Sequence, residues 1–218
     1  MADSLSVVVC ALNEAAHVGE VLSRLRNAFP AAQLILVDNG STDGTADAAK
    51  LAVSSVVLVH EPSPGKGAAM RAGAQVATGT WLLFHDADLE YVVEDSVQVV
   101  QTAMQNNCSC VGTRLVAYDR ILWSSWLANR FIQGLLRFKT GEHVPDVLSG
   151  TRCLPTVLFH TLKTQSAHFG IETEITRALL DRQIPLASEP VRFYPRSAKE
   201  GKKIRLHHLF SLVKQALR

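Results

Sequence analysis

The first half of the chain alternates short, nearly continuous apolar runs with longer stretches that mix apolar and polar residues. The continuous runs are typical of strands buried on both faces, and they predict strands at residues 5–11, 33–37, 56–60 and 81–84. The mixed stretches predict three helices, over 14–29, over about 45–52, and from the end of the loop at 62–67 to about 77. Asn13 is the predicted N-cap of the first helix. Alternation across short loops predicts an α/β fold whose mostly parallel central sheet carries helices on both faces.

The second half of the chain has a less regular pattern. It predicts a helix at 95–106 and a strand at 110–115, followed by a segment at 120–139 with four basic residues and no acidic one. This segment either packs on the domain as a helix, which we favour, or lies on a membrane with Trp123 and Trp126 at the level of the headgroups. Four of its apolar residues share one helix face: Leu127, Phe131, Leu135 and Phe138.

Polar residues cluster where the predicted strands end. Ligands of parallel sheets bind at the carboxyl ends of the strands, so side chains that follow several strands can converge on one site. This placement predicts a binding site rather than a scatter of surface charge. The residues are Asn13 and Glu14 after the first strand, Asp38 after the second, Lys66 after the third, and Asp86 and Asp88 after the fourth.

The Asp86-Ala87-Asp88 motif carries the sharpest chemical signal. Two carboxylates separated by one residue, directly after a buried strand, can converge on Mg²⁺ or Mn²⁺, which completes its coordination with phosphate oxygens of the substrate. Glu90 is a further candidate ligand, directly or through water. An isolated motif of this kind is more often a solvated acidic loop, but the apolar run before it and the other strand-end groups favour a metal site.

Two further strand ends have the chemistry of a nucleotide site. A carboxylate at Asp38 can accept hydrogen bonds from a base or a ribose hydroxyl, although it can also serve only to order the turn at 39–44. Lys66 lies between two glycines before a helix, where backbone N–H groups suit phosphate. The spacing of an ordinary P-loop is absent, so the lysine motif alone is weak.

Composition narrows the class of protein. With 218 residues, 47% hydrophobic and 19% charged, the chain is expected to form one domain over 1–218. A net charge of +2 indicates no nucleic-acid partner, and four cysteines without a C-x-x-C pair give no support to a zinc ribbon. Without a signal peptide or membrane span, the expected location is cytoplasmic, with any membrane contact peripheral.

The end of the chain is basic. Residues 192–218 contain eight basic residues and one acidic residue. This excess of positive charge fits an anionic acceptor or an anionic membrane surface, and equally a solvated basic face.

The motifs occur in an order that resembles a known enzyme family. The runs at 7–14, 37–45, 65–67 and 85–90 are similar to those of family 2 glycosyltransferases of the GT-A fold, in the branch of the polyprenyl-phosphate sugar synthases typified by dolichyl-phosphate mannose synthase. Segments at 111–114, 146–150, 170–174 and 196–203 resemble later motifs of that branch. The sequence departs from it at His85, where many members have glutamine, and in lacking the membrane helices that many members carry.

The resemblance implies a GDP- or UDP-sugar donor, a Mg²⁺ or Mn²⁺ ion, and a polyprenyl phosphate acceptor at the cytoplasmic face of a membrane. It divides the domain into a nucleotide-sugar-binding half at 5–115 and an acceptor-side half at 116–218. It implies a metal held by Asp86, Asp88 and Glu90. It implies an acceptor phosphate or diphosphate bound by Arg114, Arg196 and Lys202. The donor would be bound by a larger set, namely Ala11, Asn13, Glu14, Asp38, Asn39, Lys66, Asp86, Ala87 and Asp88.

Asp88 and Asp146 are the candidate catalytic residues. A hydroxyl acceptor needs a general base, for which Asp146 comes first and Glu172 and Glu174 follow, whereas a phosphate acceptor is already an anion and needs none. Three alternatives stay open: a transferase of the same fold with a soluble hydroxyl or phosphorylated acceptor, a nucleotidyltransferase, and a non-catalytic module that binds nucleotide sugars.

Overall fold

The computed structural model describes residues 3–115, 123–142, 145–168, 170–196 and 216, apart from the side chains of 123–125. Its strands are Leu5–Ala11 (β1), Gln33–Asp38 (β2), Val57–His60 (β3), Trp81–Asp86 (β4), Ser109–Leu115 (β5), Arg152–Pro155 (β6) and Leu186–Arg192 (β7). Its helices are Val18–Ala28 (α1), Thr45–Ala52 (α2), Lys66–Gln75 (α3), Ser96–Gln105 (α4), Trp123–Thr140 (α5), Thr156–Leu162 (α6) and Ile171–Asp181 (α7).

The seven strands form one sheet in the order β3-β2-β1-β4-β6-β5-β7. Every neighbouring pair is parallel except the two that involve β6, which runs antiparallel to both β4 and β5. The prediction of a mostly parallel sheet is therefore confirmed. The sequence pattern missed β6 and β7, which complete the sheet on the side away from β3.

Alternate residues of β1 face opposite layers of helices. Val7 and Val9 pack in one core with α1, α2 and α4, while Val8 packs in the other with α3, α6 and α7. All three valines are fully buried, which explains why β1 is a continuous apolar run rather than an alternating one. Helices on both faces of the sheet are thus confirmed.

The first helix begins later than the pattern predicts. Asn13 adopts a left-handed backbone conformation with φ of 54°, and α1 begins only at Val18 after His17, whose side chain makes no capping hydrogen bond. Asn13 is therefore not the cap of α1. Its amide is used in a different contact, described below.

The sheet reverses its direction of growth between β1 and β4. From β1 the chain adds β2 and β3 on one side, and then returns to add β4 on the other. The register pairs Ala11 with Asp38 and Cys10 with Asp86, so the carboxyl ends of the three strands meet at one edge. A crevice at such a reversal is where open α/β sheets bind ligands.

Helix α5 packs on the rest of the protein through a face that the sequence pattern did not single out. Ile132 and Leu136 are buried against Val147, Leu180 and Ala216. The opposite face carries exposed apolar side chains, namely Trp126, Leu127, Phe131 and Phe138. Among the described residues, none of the helices combines the length and hydropathy needed to cross a bilayer.

Candidate active site

The loops after β1 and β2 are joined by side-chain hydrogen bonds. The Oδ1 of Asn13 accepts a hydrogen bond from the backbone N–H of Thr42, and the backbone N–H of Asn13 donates to Ser41. Asp38 accepts from the backbone N–H of Ser41 at 2.9 Å, so one of its oxygens orders the turn that the sequence pattern assigned to it. The structure therefore brings Asn13 and Asp38 together on one wall of the crevice.

Asn39 ties the same wall to the loop before α3. Its Nδ2 donates to the carbonyl oxygens of Glu61 and Ser63, and its Oδ1 accepts from the backbone N–H of Gly65. Both ends of the amide are engaged with backbone. These contacts make Asn39 a residue that positions the loop carrying Lys66.

Glycine is required where this loop meets residues 164–168. A Cβ on Gly65 or Gly67 would overlap backbone atoms of Ala167 or Ser166. Gly65 also has φ of 124°, which favours glycine. The carboxylate of Glu174 accepts from the backbone N–H groups of Gln165 and Ser166, so Glu174 holds the facing loop in place.

Lys66 lies between two carboxylates at the floor of the crevice. Its Nζ is 2.6 Å from Oδ1 of Asp86 and 2.8 Å from Oε1 of Glu172. Burial acts to lower the pKa of Lys66, but the two carboxylates outweigh it and hold that pKa well above its ordinary value. Burial acts to raise the pKa of Asp86, and the charge of Lys66 overcomes it, so that pKa lies below its ordinary value.

Arg196 joins the ends of β1 and β4. Its guanidinium contacts Glu14 through two hydrogen bonds of 3.0 and 3.1 Å and Asp88 through one of 2.9 Å, and its backbone N–H donates to Glu90 at 2.7 Å. One cation thus faces three carboxylates. The contact between Glu14 and Arg196 spans 182 residues of sequence.

Asp88 and Glu90 share the single guanidinium of Arg196 with Glu14. Burial, followed by the charge of Asp86, raises the pKa of Asp88. Burial, followed by the charge of Asp88, raises the pKa of Glu90 to about 7. A further cation would relieve this repulsion, so the donor set fits a hard divalent ion.

The carboxylates do not by themselves form a finished metal site. In the described ranges, no three His, Cys, Asp or Glu side chains converge in the manner of a metal-binding cluster. Mg²⁺ usually binds one or two carboxylates and completes its coordination with water and substrate phosphate. Asp86 and Asp88 fit that mode, in which a bound phosphate would supply the missing ligands.

Arg114 and Asp146 form a buried ion pair on the opposite wall. Nε and Nη2 of Arg114 donate to the two oxygens of Asp146 at 2.6 and 2.9 Å, and the guanidinium also stacks 5.1 Å from the ring centroid of Phe193. The backbone N–H groups of Arg114 and Leu148 donate to the same carboxylate. Burial acts to lower the pKa of Arg114, and Asp146 raises it above its ordinary value.

Three residues of this region were not predicted from the sequence. Arg152 is buried and donates to the carbonyl oxygens of Val147, Ser149 and Glu172. The hydroxyl of Tyr91 accepts from the backbone N–H of Gly150. A Cβ on Gly150 would overlap the carboxylate of Asp86. Only Gly150 had a sequence signal, through its place after Asp146 and Ser149.

The remaining predicted residues fall at the edges of the site. Ala11 ends β1, and Ala87 is buried between the two aspartates. His85 is buried and donates from Nδ1 to the carbonyl oxygen of Asp86 at 2.7 Å, and burial lowers its pKa. The predicted phosphate ligand Lys202 lies outside the described residues.

Solved structures of similar fold cover nearly the whole chain. Glucosyl-3-phosphoglycerate synthase from Mycobacterium tuberculosis, in complex with phosphoglyceric acid, superposes with a TM-score of 0.78 at 21% identity, over 99% of this chain and 79% of that one. The same enzyme in complex with Mn²⁺ and UDP-glucose superposes with a TM-score of 0.77 at 21% identity, over 99% and 77% of the two chains. The predicted GT-A fold is thereby confirmed.

Curated relatives are similar in sequence. Glycosyltransferase AglJ of Haloferax volcanii is 29% identical over 89% of this chain and 64% of its own length. An undecaprenyl-phosphate 4-deoxy-4-formamido-L-arabinose transferase of Aeromonas hydrophila is 33% identical over 65% of this chain and 46% of its own length. The chain therefore spans about half to two thirds of these relatives.

A family model covers most of the chain. Residues 6–161 match the model described as glycosyl transferase family 2, a range that contains every predicted metal and nucleoside residue. The match is to a glycosyltransferase family and not to a nucleotidyltransferase family, and the chain belongs to glycosyl transferase family 2.

Proposed function

We propose that the protein transfers a sugar from a UDP- or GDP-sugar to a polyprenyl phosphate, with the help of Mg²⁺ or Mn²⁺. The observation that carries the proposal is the pairing of Asp86 and Asp88 with Lys66 and Arg196 at the reversal point of the sheet. The crevice then contains both carboxylates that can bind a divalent cation and basic side chains that can bind phosphate. A nucleoside diphosphate with its metal ion requires both.

The donor occupies the side of the crevice formed by β1, β2 and β4. Asp38 and Asn13 face the nucleoside, while Asp86 and Asp88, with Glu90 beside them, hold the divalent ion. When bound, the ion supplies positive charge against the charge that develops on the leaving diphosphate. Lys66 adds a second, fixed positive charge at the same place.

The acceptor is a phosphate because the candidate bases are engaged in other contacts. Asp146 is paired with Arg114, Glu174 binds two backbone N–H groups, and Oε1 of Glu172 is paired with Lys66. To accept the proton of a sugar hydroxyl, any of these three would have to act from within such a contact. A phosphate monoester is mostly a dianion at neutral pH, with a second pKa near ~6, and needs only cations to position it.

Arg114 is the cation we assign to the acceptor phosphate. It is fixed by its ion pair with Asp146. Burial raises the pKa of Asp86, whereas the charge of Lys66 and, to a smaller extent, that of Arg114 lower it, so the arginine is near enough to Asp86 to affect it. On this assignment Asp146 positions Arg114, and its catalytic role is exerted through that arginine.

Helix α5 is proposed as the surface that lies on the membrane. Its outer face exposes Leu127 to 63%, Phe131 to 52% and Phe138 to 94%, and the helix contains the exposed cations Arg130 and Arg137 and no acidic residue. Exposed apolar side chains beside cations complement a bilayer with anionic headgroups. On this proposal the protein acts at the cytoplasmic face of a membrane, where a polyprenyl phosphate presents its headgroup.

The relatives support a lipid phosphate as the acceptor and leave one alternative acceptor. The arabinose transferase of Aeromonas hydrophila is named for undecaprenyl phosphate, whereas the structures of similar fold contain phosphoglyceric acid, a soluble phosphorylated acceptor. Both acceptors carry phosphate. The test must therefore separate a lipid phosphate from a soluble phosphate and from a lipid hydroxyl.

The experiment is a transfer assay with radiolabelled UDP- and GDP-sugars, Mn²⁺ or Mg²⁺, and three acceptors. These are undecaprenyl phosphate in detergent, the matching undecaprenol, and 3-phosphoglycerate. We expect transfer to undecaprenyl phosphate alone, and its loss on chelation of the metal. Transfer to undecaprenol would contradict the argument from the engaged carboxylates, and transfer only to 3-phosphoglycerate would replace the lipid with a soluble acceptor.

A further inference from the structure

Arg196 lies where the proposed metal would be needed. Its Nη2 contacts Oδ2 of Asp88 at 2.9 Å and Oε1 of Glu14 at 3.0 Å, while Oδ1 of Asp88 accepts from the backbone N–H of Glu90. Both oxygens of Asp88 are thus engaged. A divalent ion coordinated by Oδ2 would have to replace the guanidinium there.

The contact between the Arg196 guanidinium and Asp88 can be broken while the other contacts of the arginine remain. It contacts Asp88 with one nitrogen only, and its Nε is buried without a hydrogen-bond partner among the described residues. Its two bonds to Glu14 and the backbone bond to Glu90 can hold the arginine near the crevice when the contact with Asp88 is broken. A nearby diphosphate would offer Nε and Nη2 the oxygen acceptors that a guanidinium pairs with most strongly.

We propose that Arg196 acts as an internal counter-ion for Asp88 in the nucleotide-free protein and gives up this carboxylate when donor and divalent ion bind together. The proposal rests on the proposed function, since it takes Asp88 to be a metal ligand. Arg196 is then a positioning residue that acts through Asp88. Metal binding is weak until a diphosphate draws the guanidinium away, so the two ligands bind with positive coupling.

A simpler role for Arg196 predicts a different result. If the arginine only fastened the segment after β7 to the domain and stayed on Asp88 when nucleotide binds, its removal would change Mn²⁺ affinity by the same factor with and without nucleotide. The distinguishing quantity is therefore the gain in Mn²⁺ affinity on adding nucleotide, because only release of Asp88 by the arginine contributes to that gain.

The experiment titrates the full chain with Mn²⁺ and measures free Mn²⁺ by electron paramagnetic resonance. Wild type, Arg196→Gln, Arg196→Lys and the control Arg192→Gln are compared without nucleotide, with UDP and with GDP. Arg192 lies in the same segment but pairs with Asp95, away from the crevice. Circular dichroism checks that each variant is folded, and the lysine variant keeps the charge that the fold needs.

Without nucleotide, we expect Arg196→Gln to bind Mn²⁺ about tenfold more tightly than wild type, since one positive charge is removed next to the ion. Arg196→Lys should fall between them, and Arg192→Gln should match wild type. The gain in Mn²⁺ affinity on adding nucleotide should be smaller in Arg196→Gln than in wild type. If Arg196→Gln binds Mn²⁺ no more tightly than wild type without nucleotide, or shows the same gain as wild type on adding nucleotide, this inference alone is overturned. If none of the proteins binds Mn²⁺, even with UDP or GDP, the proposed metal site is overturned as well.

Discussion

Arg114 donates to both oxygens of Asp146, from Nε at 2.6 Å and from Nη2 at 2.9 Å, and the two side chains are 15% and 6% exposed. An aspartate in this arrangement fixes the arginine and keeps its charge compensated inside the protein. It has no oxygen left over to take a proton from an acceptor, since two backbone N–H groups fill its remaining positions.

Asp146→Asn should therefore raise the KM for the acceptor phosphate and leave the KM for the donor nearly unchanged. The loss of a buried partner for Arg114 should also lower the free energy of unfolding by about 3 kcal/mol. Steady-state kinetics and denaturant unfolding measure the two effects. A fall in kcat of ~10²-fold or more, with loss of the acidic limb of the pH–rate profile, would instead identify Asp146 as a general base.

Lys66→Gln should destabilise the protein and abolish donor binding together. The substitution leaves Asp86 and Glu172 facing one another without the cation that separates them, at a cost of about 3 kcal/mol. Calorimetric titration with UDP and GDP in the presence of Mn²⁺ measures donor binding. Lys163→Gln, at an exposed position outside the crevice, is the matched control and should change neither quantity.

Gly150→Ala tests the packing around Asp86. The added methyl group would overlap the Asp86 carboxylate and lie 2.9 Å from Nζ of Lys66, so the aspartate must move away from its ion pair. We expect weaker Mn²⁺ binding in the presence of nucleotide, measured by electron paramagnetic resonance, and a lower melting temperature.

The control for this variant is Gly134→Ala in α5. A Cβ at Gly134 meets no atom within 4 Å, and alanine is favoured over glycine in helices by about 0.5–1 kcal/mol. Gly134→Ala should thus be neutral or stabilising. Unchanged Mn²⁺ affinity in Gly150→Ala would show that Asp86 has room to adjust, against our expectation.

The double substitution Phe131→Ser with Phe138→Ser should weaken binding to vesicles that contain phosphatidylglycerol. It removes two of the exposed apolar side chains of α5 and leaves its cations in place. Sedimentation with vesicles, compared at low and high salt, separates the apolar contribution from the screened electrostatic one. The matched control is Leu51→Ser, which removes from α2 an apolar side chain as exposed as that of Phe138.

Two results bear on the α5 proposal. Binding of wild type to anionic vesicles and not to phosphatidylcholine vesicles is the expected pattern, since the helix carries cations and no acid. Equal loss of binding in the Leu51→Ser control, or no vesicle binding by wild type, would remove α5 as the membrane surface.

The first half of the fold could be predicted because burial on both faces leaves an unbroken apolar run, as in β1. The later strands leave no such run. β6 is four residues long and includes the buried Arg152, and β7 carries Glu189 and Pro190, so each reads as a polar or broken segment. Both segments become strands because they pair with strands that are distant in sequence, and the local pattern of apolar and polar residues does not predict such pairing.

The residues of the site also divide into those that the sequence predicts and those that it does not. The strand-end acids were predictable because parallel strands bring their carboxyl ends to one edge. The contacts of Arg196 with Glu14 and of Tyr91 with Gly150 were not, because they join residues 182 and 59 positions apart. The sequence-based interpretation of Asn13 as a helix cap was wrong because its amide instead accepts from the turn after β2.

The antiparallel strand β6 has a consequence for how the chain folds. It lies between β4 and β5, which both belong to the first 115 residues, so those residues form no continuous sheet until a later segment is inserted between them. The two halves of the chain are therefore interlocked rather than stacked. Unfolding should be a single cooperative transition, and assembly should be slow for a chain of this size, because the central pairing joins segments about 70 residues apart.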